Sequence, residues 1–123
     1  MLGKVLEATV RLNIYVHTPD GHTHAFSCDG WGFSQAHGKK CLVFRDARSQ
    51  ALHVVGNVRR RSQIPHEDLP LMGRVRVVEE SVTSSGRYEW EFFLEEVDEQ
   101  TKHDVLNGPL VEPASFVGHG FRL

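Results

Sequence analysis

The 123-residue sequence predicts a small antiparallel β-barrel or sandwich of five to seven strands, all-β or β-rich with one short helical turn. Three observations predict it. Apolar and polar residues alternate strictly from Val10 to Val16, the same alternation returns from Tyr88 to Leu94, and turn-forming residues join short β-rich runs.

The first strand places Val10, Leu12, Ile14 and Val16 on one face, with Arg11, Asn13, Tyr15 and His17 on the other. Thr18-Pro19-Asp20-Gly21 follows at once. Proline presets the φ of a type I turn and glycine supplies the positive φ of a bulge, which makes a three-residue hairpin loop. In that register Thr18 faces His22, Val16 faces His24, Ile14 faces Phe26 and Leu12 faces Cys28. A one-residue slip would turn Phe26 outward, so turn and hydrophobic pattern select the same pairing.

Asp29-Gly30-Trp31-Gly32-Phe33 and the polar stretch Ser34 to Lys40 read as a loop. Cys41 to Arg45 and Ala51 to Asn57 form a second hairpin across Asp46 to Gln50. Arg59-Arg60-Arg61 and Pro65 end it, and Pro65 to Met72 holds one short helical turn. The last hairpin spans Arg74 to Val97 with its loop at Val82 to Ser85. Val77 then faces Trp90, Val75 faces Phe92, Arg76 meets Glu91 and Glu80 meets Arg87, so apolar and ionic pairings agree. Residues 1–98 are thus the barrel domain. Residues 99–123 read as an irregular tail, packed on the domain or on a partner chain through Leu110, Val111, Phe116 and Phe121.

The layout, with a long first strand, a helical turn before the final pair and an aromatic-rich last hairpin, is similar to that of oligonucleotide-binding barrels. The similarity is one of layout and carries no family membership.

With 40% hydrophobic and 24% charged residues the composition is that of a globular domain. No apolar run is long enough to span a bilayer, and charges interrupt the N-terminal segment where a secretory signal would be apolar, so the expectation is a cytoplasmic protein without a membrane partner. Cys28 and Cys41 lack metal-ligand spacing and are expected as buried thiols; a disulfide would require neighbouring strands.

The net charge of −2 hides a segregation of charge. From Lys39 to Arg61 seven bases stand against one acid, whereas from His66 to Asp104 eleven acids stand against four bases. Two solvated faces account for this, as does a basic surface for a polyanion or self-association of opposite faces.

Among candidate sites, His22 and His24 share the inward face of the first hairpin while His17 lies opposite, so a metal centre would need His37 or His53 as a third ligand. Solvated or partly packed histidines account for the same residues. No nucleophile elbow, phosphate loop or dinucleotide fingerprint is present, and neighbouring acids such as Glu79-Glu80 fall on opposite strand faces. Nothing points to an enzyme or a cofactor.

Aromatics next to bases form the better constellation. Trp31 and Phe33 precede Lys39 and Lys40, followed by Arg45, Arg48, Arg59, Arg60 and Arg61, a combination that suits stacking of unpaired bases over a basic groove. The plain alternative is that Trp31 closes the core and the arginines are solubilising charge. The first functional expectation is therefore a non-enzymatic module for single-stranded or structured nucleic acid. The second is a protein-interaction or assembly subunit, as a homo-oligomer joined through exposed strand edges or as an inhibitor-like partner of another protein. The third is a small-molecule or metal-binding barrel using the hairpin histidines.

Overall fold

The computed structural model describes residues 10–81 and 86–109. Six antiparallel strands, β1 (Val10–His17), β2 (Thr23–Ala36), β3 (Lys39–Asp46), β4 (Leu52–Arg59), β5 (Gly73–Ser81) and β6 (Arg87–Glu95), close into a barrel. The order around it is β1-β2-β3-β4-β6-β5, with β5 returning to pair with β1. The expected all-β barrel is the observed fold. Each strand has two strand neighbours, with the contact of β4 and β6 confined to three residue pairs.

The first hairpin forms in the expected register, Leu12↔Cys28, Ile14↔Phe26 and Val16↔His24. Its turn is closed by the Thr18 amide donating to the His22 carbonyl at 2.9 Å, with Gly21 at φ +94°. The last hairpin likewise pairs Val75↔Phe92, Arg76↔Glu91, Val77↔Trp90 and Glu80↔Arg87; its predicted loop at 82–85 lies outside the described residues.

Between these hairpins the structure corrects one expectation. The segment from Asp29 to Ala36 is strand, not loop: β2 runs on through a bulge between Cys28 and Gly30 and pairs with β3 as Trp31↔Phe44 and Phe33↔Leu42. The bulge inserts one residue and changes which parity faces inward. Phe26 and Cys28 lie inside before it, Trp31 and Phe33 after it. β2 then turns directly into β3 through His37 and Gly38, both at positive φ as a two-residue type I′ hairpin requires.

The interior is built from Ile14, Cys28, Trp31, Leu42, Phe44, Val75, Val77 and Leu94. The outer face of β3 is also covered. Cys41 and Val43 pack beneath a helix, α1 (Glu99–Leu106), through Val105, which explains why Cys41 to Phe44 is buried without alternation. Cys28 and Cys41 are both buried free thiols on opposite sides of the sheet. Burial pushes the Cys28 thiol up to about 12, leaving it inert.

Helix α1 corrects the expected irregular tail over its first eight residues. Asp98 caps it by accepting from the Thr101 amide at 2.8 Å, and only Thr101 and Val105, one turn apart, are buried. The proposed anchors Leu110, Val111, Phe116 and Phe121 lie outside the described residues.

Two 3-10 turns, Arg61–Gln63 and His66–Leu71, connect β4 to β5, the second where a helical turn was expected. The barrel thus departs from the five-stranded oligonucleotide-binding layout by its sixth strand, with the helical turns after β4.

Candidate nucleic-acid interface

β4 and β6 pair only from Asn57↔Glu95 to Arg59↔Phe93. They can approach there because position 56 is glycine. A Cβ on Gly56, whose φ is +156°, would stand 2.8 Å from the Glu95 carbonyl oxygen. Beyond the short seam β6 continues along β5, and its rings Trp90 and Phe92 line one concavity with Asn57 to Arg60 at the end of β4.

That space is a groove of about 830 Å³. Its floor and one wall are rings: Trp31 from β2, Trp90 and Phe92 from β6, and Phe33 from the end of β2. Trp31 lies 5.4 Å from Trp90 and 6.3 Å from Phe92, while Phe33 meets Trp31 and Phe92 edge-to-face at 5.6 and 5.7 Å. Half-exposed Tyr88 extends the row by stacking on Trp90 at 6.1 Å and a 25° interplanar angle. The rings follow one another because alternate residues of a strand share a face.

Bases line the same groove: Lys39 and Lys40 from β3, Arg59 from β4 and the following Arg60. The Lys40 ammonium lies 4.6 Å from the centre of the Phe33 ring. Its backbone amide donates to Asn57 Oδ1 at 3.1 Å, tying the lysine pair to β4. Arg59 donates from Nη2 to the Gln63 carbonyl at 3.1 Å and from Nη1 to Glu95. The Arg60 amide donates to Gln63 Oε1 at 3.2 Å. Among the described residues Lys39, Lys40 and Arg60 make no close ion pair with a carboxylate, whereas Arg59 is paired with Glu95.

Of the nine residues expected to bind nucleic acid, Phe33, Lys39, Lys40, Arg59 and Arg60 meet here with Trp31 beneath them. Trp31 is a correction. It is fully buried, because the bulge turns it into the barrel, so it supports the other rings and presents no stacking face. Trp90, whose alternation with polar residues suggested a core position, is half-buried in the groove instead. Arg45 lies elsewhere, donating from Nε to Asp29 at the bulge at 2.7 Å. Arg48 sits in the β3–β4 turn and Arg61 in the first 3-10 turn, neither on the groove. Sequence reasoning missed Trp90 and Phe92; their i, i+2 spacing shows a shared face but not that the barrel leaves that face open.

The histidines are dispersed. His22 lies 3.6 Å from Asp20 in the first turn, His37 Nε2 meets Asp104 Oδ2 of α1 at 2.5 Å, and His53 stacks on Phe44 at 5.0 Å. Among the described residues no three His, Cys, Asp or Glu side chains come together as metal ligands, and His22 and His24, expected on the inward face, are exposed. Burial raises the Glu79 carboxyl to about 7, the largest shift of an acid here. It is not among the residues lining the groove and sits in register between Leu12 and Tyr88.

The groove therefore defines a class of site, a basic cleft with an aromatic floor on a closed antiparallel barrel. Comparison with protein families, with curated proteins and with solved structures finds no match to the chain.

Proposed function

We propose that the chain is a non-enzymatic binding module for single-stranded nucleic acid, taken up in the groove between β4 and β6. One observation carries this reading: segments far apart in sequence bring Lys39, Lys40 and Arg60 together with Phe33, Trp90 and Phe92 in a single concavity. Phosphates supply the charge that such bases neutralise, and unpaired bases supply the flat faces that rings stack on, at about 1 to 3 kcal/mol for each base. A duplex offers its phosphates to the basic side chains but keeps its base faces stacked, so the groove favours unpaired strands.

The test is titration of a labelled single-stranded dodecanucleotide across a salt series. If Lys39, Lys40 and Arg60 each take one phosphate, the logarithm of affinity falls with that of salt at a slope of about −2. Absence of binding at low salt removes the reading.

A second reading, docking of another protein or a second copy, draws on one feature. A hollow of about 520 Å³ brings Val16, Leu71, Met72 and Leu94 together with His17, Glu95 and Glu96, and Leu71 beside it is 72% exposed. Light scattering decides it: a strict monomer, unchanged in Leu71→Glu, argues against self-association through this hollow.

A further inference from the structure

In the free protein the stacking face of Phe33 is already occupied. The Lys40 ammonium sits 4.6 Å from the ring centre, and the ring's other close neighbours, Trp31 and Phe92, meet it edge-to-face. Lys40 itself is exposed, and its anchoring lies in the backbone, through the amide bonded to Asn57. The side chain can therefore swing while the strand stays in place.

We propose that Lys40 is a displaceable cap on Phe33, and that an incoming base takes its place on the ring while the ammonium moves to the phosphate of that nucleotide. This deepens the nucleic-acid reading and rests on it. The exchange is favourable on magnitudes: an exposed cation–π contact is worth about a two- to fivefold factor in an equilibrium. A base stacked on an aromatic side chain is worth about five- to 150-fold, and the displaced ammonium keeps an electrostatic partner in the phosphate. Lys40 is thus a specificity-determining residue, because a ligand bringing a ring without a phosphate must lift the cap with nothing to receive it. A ligand bringing a phosphate without a base cannot claim the ring.

The consequence is a difference of sign that a merely structural lysine would not produce. In Lys40→Ala, a hexanucleotide with a neutral methylphosphonate backbone binds about two- to fivefold tighter than to the wild type, since no cap has to be lifted. The ordinary phosphodiester hexanucleotide binds weaker, by about three- to tenfold at low salt, and its salt slope is shallower by about 0.7, one phosphate contact fewer. Lys40→Gln, which keeps the side-chain length without the charge, shows the same pair of opposite effects. Melting temperature and circular dichroism establish that each variant is folded.

Equal weakening of both ligands, or no change in either, overturns the proposal. Failure of the wild type to bind the phosphodiester overturns instead the function on which it rests, so the two failures are distinguishable.

Discussion

Trp90 is the largest ring facing the groove, and its indole also rests on Trp31 at 5.4 Å. Trp90→Ala should weaken binding of a single-stranded oligonucleotide by about 1 to 3 kcal/mol, measured by fluorescence anisotropy on protein shown by its melting curve to be folded. Glu95 acts in the opposite sense, because it holds Arg59 that a phosphate would otherwise claim. Glu95→Gln should therefore tighten binding and steepen the salt slope by about 0.7; an unchanged slope would show that Arg59 takes no part. Glu79 controls stability, not binding. Its folded value of about 7 lies above the ordinary 4.5, so the folded state holds the proton more firmly. The resulting stability is fully present below about pH 4.5 and is lost as the pH rises through 7, by about 3 kcal/mol in all. Thermal melting should fall between about pH 4.5 and 7 and level off above, and Glu79→Gln should flatten that fall.

At the scale of elements, the groove exists because β4 and β6 touch briefly and then part. Gly56 permits the contact, since any side chain there meets the Glu95 carbonyl. Gly56→Ala should destabilise the barrel by at least about 2 kcal/mol in urea unfolding, and a neutral result would mean that the seam is looser than 2.8 Å implies. The two terminal hairpins were legible in the sequence down to individual pairs, because alternation, turn residues and cross-strand charges agreed. The middle was not. At β2 the bulge breaks parity between Cys28 and Gly30, so a strand with glycines on both sides of Trp31 resembles a loop. At the β2–β3 turn, His37-Gly38 takes the place of the familiar Asn-Gly signal. Helix α1 escaped because only Val105 and Leu106 of its eight residues are apolar, which makes no apolar stripe; its one local signal was Asp98 before Glu99 at the N-terminus.

Across the whole molecule, the basic segment and the aromatic strand stand about thirty residues apart and become one site only through barrel closure. Composition exposed the charge segregation and half of the site, Phe33, Lys39, Lys40, Arg59 and Arg60. It could not show that Trp31 turns inward while Trp90 faces the groove, because strand shear and the short β4–β6 seam decide which inward faces are covered. Acids elsewhere are engaged structurally. The Thr101 side chain and amide hold Asp98 below the ordinary carboxylate range, and the His37 imidazole does the same for Asp104 where α1 meets the β2–β3 turn. Their contributions to stability are present above the ordinary carboxylate range and disappear as the pH falls through their lowered values. With Glu79 acting from the alkaline side, stability should peak in mildly acidic solution.

The most direct measurement is a nuclear magnetic resonance titration of the full chain with a single-stranded dodecanucleotide, following the two indole N–H signals, the Lys40 amide and the Leu71 methyls. The groove predicts large, salt-sensitive movement of Trp90 and Lys40, smaller movement of Trp31, and a stationary Leu71. Silence at Trp90 and Lys40 at low salt, or movement confined to Leu71 and its neighbours, would contradict it.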